Sequence, residues 1–594
     1  MAGPSRQRPA ATRRMGAILA ALALASCAGE PPYATSSSTL ARSSDGTIWL
    51  ASPDDDALVG IDPDTLSERA RIAIEGGPEG VAAVGQALVV TLGRAAEVAW
   101  VEGDAVTRLA VPCGGTRAVV ADGRGGALVS CPWDDLVLGL GPEGVRFTLA
   151  APGRPTALAV LGDRFAVSAS RTGRLREHAL DDLRVLSDVA LADRRGHAAT
   201  LVDAIGADPE RGGFVALYQL VDHDSDRARP PSRGGYGSVD DGEPRIEPRL
   251  SGPCGGRYAR FDGGARVFSG PSAIAIRGGV RWVVHRGTDD VAALGCDEGA
   301  ALAPRLATFH VGRGPRGVLA SEDGRVAWVD VGFAHAVARL ELDRAARGPE
   351  GPAGEASLER TRARGASALS EAARRGRALF FDATNTHLTP SGIVSCGSCH
   401  PDGGEDGLAW FLHTANVGPK LRRTPAAWGA RAALSPFHWD GEFADAAELT
   451  RATIRELMEG DGLFVDTAAI AAWMAEAPTP PGRPVRDAED RARVARGEAL
   501  FAERGCGECH AGPHLSDARR HEVLAPSEDE AARLPGAITP SLRAVRARPP
   551  YFHDGRAPTL RALVAEHHGG GRHGRTADLD GADLDALVAY LETL

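Results

Sequence analysis

Lysine is almost absent from this chain of 594 residues, and its basic charge is carried by arginine. Together with abundant Ala and Gly, that reflects the codon usage of a GC-rich genome and carries no functional information. Positive charge is not in excess either. The 67 basic and 78 acidic residues leave a net charge of −11, with arginines interspersed among Asp and Glu. No nucleic-acid partner is expected from that balance, because such partners select a basic face. Long apolar runs are missing too: none after the N-terminal segment approaches the roughly 20 residues that span a bilayer. The first two-thirds of the chain hold no cluster of metal-ligating or nucleophilic side chains, so no catalytic centre is expected there. What remains is the composition of a soluble globular protein, 43% hydrophobic and 24% charged. The length calls for several domains, since one core rarely exceeds about 250–300 residues.

The N-terminus reads as an export signal. Arg6, Arg8, Arg13 and Arg14 precede a short apolar run from Met15 to Ala25 that ends at small residues. Leu24-Ala25-Ser26-Cys27 is similar to a bacterial lipobox, which makes residues 1–26 a lipoprotein-type signal peptide and Cys27 the lipidated residue. The alternative is an ordinary signal peptide cut nearby. Residues 27–45 are expected to be a tether, because Pro31 to Ser44 has the composition of a disordered segment. The expected location is the periplasm, with a lipid anchor in the outer membrane.

Two short runs organise the rest: Cys396-Gly397-Ser398-Cys399-His400 and Cys506-Gly507-Glu508-Cys509-His510. Cys-x-x-Cys-His is the attachment signature of a c-type haem. Two thiols one turn apart can add to the two vinyl groups, and the adjoining imidazole then reaches the iron. Two covalently bound haem c groups are expected, with His400 and His510 as proximal ligands. The competing reading is a zinc site or a redox dithiol built from two Cys-x-x-Cys pairs. The 110-residue separation and the His after each pair weigh against it. Nine cysteines less Cys27 and the four haem thiols leave Cys113, Cys131, Cys254 and Cys296. In an oxidising compartment these can form two disulfides in any of three connectivities.

Residues 46–343 show short apolar strands and an internal period. Similar segments begin at Pro78, Gly115, Pro155, Gly196, Pro271 and Pro315, at spacings of 37, 40, 41, 75 and 44 residues. Blades of about 40 residues, with the long spacing covering two, predict an all-β propeller of about seven blades. Six or eight remain open. Gly60-Ile61-Asp62-Pro63-Asp64-Thr65 and the Pro-x-x-Val-Ala segments resemble the YVTN-type β-propeller family. The polar stretch from Asp222 to Pro248 reads as a loop insertion in an irregular region, blades four and five. The propeller is either a rigid spacer or a docking face for a protein substrate or electron donor. Residues 344–366 are the expected linker, and a helix from Ser367 to Phe381 leads into the first haem motif.

The C-terminal region is duplicated. Arg375-Gly376-Arg377-Ala378-Leu379-Phe380 precedes the first haem motif and Arg496-Gly497-Glu498-Ala499-Leu500-Phe501 the second. Thr424-Pro425 leads to Phe437-His438-Trp439-Asp440-Gly441, as Thr539-Pro540 leads to Phe552-His553-Asp554-Gly555. Two all-α cytochrome c domains in tandem follow, at residues 367–485 and 486–594.

On these motifs, with Leu379-Phe380-Phe381-Asp382, Gly418-Pro419 and Pro550-Tyr551, residues 367–594 resemble the bacterial di-haem cytochrome c peroxidase and MauG superfamily. The resemblance implies a peroxide-reacting N-terminal haem and a C-terminal haem that passes electrons to it. It further implies His413 as a sixth ligand or distal acid–base group, Trp439 as a ring between the haems, and Glu459, with Glu456 as rival, as the base of peroxide cleavage. The second haem's distal position, Met or Tyr in that family, is counted to His567, with His568 as fallback. An imidazole there should lower that haem's potential. Arg543 and Arg556 are expected to pair with propionates. Calcium between the domains is possible, although Leu421 and Arg422 replace the expected asparagine. The expected function is a peroxidase or MauG-like oxidase served by a small cytochrome or cupredoxin. The alternatives are a non-catalytic electron-transfer protein and a di-haem oxygenase.

Overall fold

The computed structural model describes residues 33–594 except 193–195, 225–238, 241–242, 259–266, 299–301, 343–355, 361–367, 414–417, 430–433, 525–526 and 567–570. The export signal, Cys27 and His567 with His568 lie outside the described residues.

Seven antiparallel sheets form a seven-bladed β-propeller. Their first strands are Leu40–Arg42, Pro78–Val84, Val119–Ala121, Leu158–Leu161, Ala198–Asp208, Pro271–Arg277 and Pro315–Ala320. Each first strand touches the next around a central axis, and the ring closes between the first and last. Second strands such as Ala87–Leu92 and Ala127–Cys131 are buried at every position, being packed on both faces by neighbouring blades. The outermost strands, such as Ala105–Ala110, alternate with solvent. Disulfides join Cys113 to Cys131 and Cys254 to Cys296.

The count of seven is right, but its bookkeeping in the sequence differs. The 75-residue spacing is one blade, widened by the long strands Ala198–Asp208 and Gly213–Val221 and by the polar insertion after them. The missing blade is the first, which starts at Leu40, before the first anchor at Pro78. The expected tether is therefore partly fold. Ala34–Ser36 is a strand that pairs with Leu158–Leu161 of blade four, because short Ala and Ser side chains fit along the axis. The expected linker also contains a strand, Ala356–Arg360, the outer edge of the last blade.

The C-terminal region is helical: α1 (Glu371–Phe380), α2 (Cys396–Cys399), α3 (Ala446–Glu456) and α4 (Thr467–Glu476) belong to the first haem domain. The second carries α5 (Ala488–Glu503), α6 (Leu560–Ala565) and α7 (Gly581–Glu592). Helix α1 begins at Glu371 rather than Ser367 because Ser370 caps it, accepting from the Ala373 N–H. The duplicated glycines explain themselves at the helix crossings. A Cβ on Gly376 would overlap the Ala469 carbonyl of α4, and one on Gly497 would overlap the Ala586 carbonyl of α7.

Propeller and haem region share an interface, to which both haem domains contribute. It uses the face that carries the turns between second and third strands. Arg377 of α1 forks onto Asp54 at 3.0 and 2.6 Å, and Arg546 reaches Asp134 at 2.6 Å. Asp402 in the first haem loop receives Arg117 at 2.7 Å and Arg286 at 2.9 Å, from different blades. Burial alone would raise the Asp402 pKa; the two guanidiniums outweigh it and hold the carboxyl well below its usual range. One face of the propeller is thus covered by the protein's own haem region.

Candidate redox site

Both Cys-x-x-Cys-His runs form a tight turn. Cys396 to Cys399 is one helical turn with a capping box between Ser395 and Ser398; Cys506 to Glu508 is a 3₁₀ turn. The His400 Nδ1–H donates to the Gly404 carbonyl at 3.0 Å and the His510 Nδ1–H to that of Leu515 at 3.1 Å. Each bond fixes the tautomer and leaves Nε2 as the ring nitrogen for iron. All four cysteines are unpaired. Burial pushes the Cys396 thiol up to about 12 and Cys399 well above its normal value.

A cavity of about 310 Å³ opens on the second motif, lined among others by Cys506, Cys509, His510, Arg548, Phe552 and His573. That volume is in the range of cofactor sites. Two of its polar atoms, Arg548 Nε and His573 Nδ1, are buried without a hydrogen-bond partner among the described residues. A haem fits this lining: thiols for its vinyl groups, an imidazole for its iron, apolar walls, and a guanidinium for a propionate. The rings of His510 and His573 have centroids 6.4 Å apart. Burial first, then His510, lowers the His573 pKa to about 4.

Arg543 and Arg556 are not in this lining. Arg543 donates to the Pro513 carbonyl at 3.0 and 2.8 Å, and Arg556 forks onto Asp554. Their guanidiniums are committed elsewhere. Arg548, which lines the cavity with its Nε unbonded among the described residues, is an arginine the sequence reading missed. Nothing short of the fold distinguishes it among so many arginines.

The two haem halves meet at an aromatic pair. Trp439 and His553 have ring centroids 6.3 Å apart, and both line the second cavity. The contact repeats itself across the interface: the Arg423 N–H donates to the His553 carbonyl at 2.6 Å, and the Ile538 N–H to that of Trp439 at 2.9 Å. Arg423 and Ile538 each precede a duplicated Thr-Pro, so Trp439 and His553 are equivalent positions of the repeat. Arg423 binds the pair together. It stacks over Trp439 at 5.5 Å, accepts the indole N–H on its carbonyl at 3.0 Å, and donates to the carbonyls of Arg548 and Phe552 at 3.1 Å each. Its charge is met by buried Glu405. Beside it, Arg422 donates to the Leu421 and Ala531 carbonyls at 2.9 and 3.1 Å.

His413 is the residue just after the strand Ala409–Leu412, which pairs with Lys420–Arg423, and its ring lies 6.2 Å from that of Phe411. Glu459 is half-buried just beyond α3 at a positive φ of 65°, a conformation rare for a side chain of its size. Glu456, at the end of the helix, has a buried Oε2 without a hydrogen-bond partner among the described residues. Another acidic group was not foreseen. Burial pushes Asp406 up to about 7, although the Leu408 N–H and the Trp410 indole both donate to it at 2.9 Å.

Comparison with known proteins agrees with this geometry. Residues 494–594 match the family model described as cytochrome c. The chain is 28% identical over 279 residues to methylamine utilization protein MauG of Methylorubrum extorquens, covering 37% of this chain and 76% of that one. It is 27% identical over 280 residues to the cytochrome c551 peroxidase of Nitrosomonas europaea, covering 38% and 80%. Over 281 residues it is 29% identical to hydrazine synthase subunit gamma of Kuenenia stuttgartiensis, covering 38% and 78%.

Proposed function

We propose, from a haem region that is a relative of the MauG and cytochrome c peroxidase oxidoreductases, that this protein uses hydrogen peroxide as oxidant at its first haem motif. The observation that carries the reading is the duplicated pair of haem motifs, in two domains that meet at Trp439 and His553. When bound, haem supplies the redox-active iron and the conjugated ring through which electrons leave or arrive. The chain does the rest. Cys396, Cys399 and His400 hold one haem, and Cys506, Cys509 and His510 the other. Trp439 and His553 place two π-systems where the two domains meet, an arrangement suited to a relay between unequal centres.

Peroxide reduction also needs a group that takes a proton from one oxygen and returns it to the other. Glu459, Glu456 and His413 are the candidates for that role, and Asp406, poised near neutrality, is a further proton store behind them. Reducing equivalents would come from a small cytochrome or cupredoxin, and the substrate would be peroxide alone or peroxide with a molecule to be oxidised. Calcium between the domains is not required by this reading.

The test is direct. Purified holoprotein mixed with H2O2 should shift its Soret band and turn over a reduced cytochrome. A protein that does neither is an electron carrier and not a peroxidase. Glu459→Gln should abolish turnover while both haems remain attached. If Glu456→Gln does so instead, the base is Glu456.

A further inference from the structure

We propose that His573 is the sixth ligand of the haem held by Cys506, Cys509 and His510. This rests on the di-haem reading above and assigns to a named residue the position that counting along the sequence gave to His567. Imidazole nitrogens bind first-row metals at about 2 Å, so two imidazoles on opposite sides of one ion have ring centres roughly 6 Å apart. The His510 and His573 rings are 6.4 Å apart, across the cavity that receives the second motif. Face-to-face stacking would bring them closer.

The His573 ring is also presented for ligation. Its Nδ1 is buried and makes no hydrogen bond among the described residues, a costly state for a polar atom unless something else binds there. Phe552 packs against it edge-on at 5.8 Å, which fixes the ring. The segment carrying it is tied to the end of α5, immediately before Cys506. Arg575 donates to the Glu503 carbonyl at 3.0 Å, Arg504 donates to that of Arg575 at 3.3 Å, and Thr576 donates to that of Val564 at 2.9 Å. Gly571 and Gly574 flank it at positive φ of 86° and 82°, letting the chain turn sharply on both sides of the ligand. The thiol-bearing turn and the distal imidazole are thus one mechanical unit. An iron held by two imidazoles has no open position, and favours the ferric state more than one with a thioether ligand. Reaction with peroxide is then confined to the first haem.

The experiment is electron paramagnetic resonance of the ferric full-length holoprotein, with carbon monoxide uptake by the ferrous form as second readout. His573→Ala should convert one low-spin haem to high-spin and add one equivalent of carbon monoxide binding. His573→Met should restore a low-spin signal with altered g-values and raise that haem's midpoint potential. His567→Ala and His568→Ala should leave the signal as in the wild type. The assignment is overturned if a two-haem His573→Met protein keeps wild-type g-values and potential, or if His567→Ala or His568→Ala removes the signal. Haem stoichiometry by mass, measured on the wild type, tests the premise separately: fewer than two haems would defeat the di-haem reading rather than the choice of ligand.

Discussion

Trp439 is held from three sides: its indole N–H by the Arg423 carbonyl, its face by the Arg423 guanidinium, and its edge by His553. Its packing and its proposed role as a relay between two haems can be separated by mutation. Trp439→Phe keeps a ring in the gap and leaves one buried carbonyl short of a donor. It should cost about 1 kcal/mol in denaturant unfolding and leave electron transfer between the haems nearly as fast. Trp439→Ala opens a cavity, should cost about 3–5 kcal/mol, and should slow interhaem transfer in stopped-flow reduction. Equal transfer rates in both variants would show that the ring only packs. At this scale the sequence was legible where chemistry demands fixed spacing, as in both haem motifs, and silent where a residue acts through space. Arg423 and Arg548 read as two more arginines in an arginine-rich chain, and His573 lies beyond the position at which counting stopped.

Among the elements, the duplicated Arg-Gly-x-Ala-Leu-Phe helices carry the clearest physical rule. Each glycine lets a helix axis approach the carbonyl of its crossing partner, Ala469 in the first domain and Ala586 in the second. Gly376→Ala and Gly497→Ala should each cost about 1–3 kcal/mol as overpacked crossings. Their contacts share no partner, so the double variant should lose the sum of the two to within about 0.5 kcal/mol in denaturant unfolding. A clearly non-additive double variant would mean that the haem domains do not hold their helix crossings independently. The blades were legible for a related reason. Their period is written in the Pro- and Gly-led starts of the first strands. It failed at blade five, where an insertion lengthened one unit, and at blade one, whose start at Leu40 carries no Pro or Gly marker.

For the whole molecule, the joint between propeller and haem region decides most. Asp402 lies two residues after His400 and is clamped by arginines of two blades. Its side chain is 32% exposed, so breaking the clamp should cost about 1–3 kcal/mol, between the values of surface and buried pairs. Because its folded pKa lies below the unfolded value of about 3.9, its contribution is complete above that pH and is lost as pH falls below it. Asp402→Asn should therefore lower stability at pH 7 and make acid unfolding less steep, and it should shift the spectrum of the first haem while sparing the second. An unchanged acid transition would show that the clamp is not an energetic joint. No sequence pattern announces such a contact, since its partners lie 285 and 116 positions away. The entry of the chain has a consequence of another kind. Tyr33 meets the propeller at Gly162, on the turn between first and second strands, whereas the haem region sits on the turns between second and third. The two are on opposite faces of the disc. A lipid on Cys27 would be six residues from Tyr33, at most about 20 Å of extended chain. The propeller would then stand between bilayer and haems, holding them one disc-thickness out, where a diffusing electron donor can approach from the open compartment rather than along the membrane.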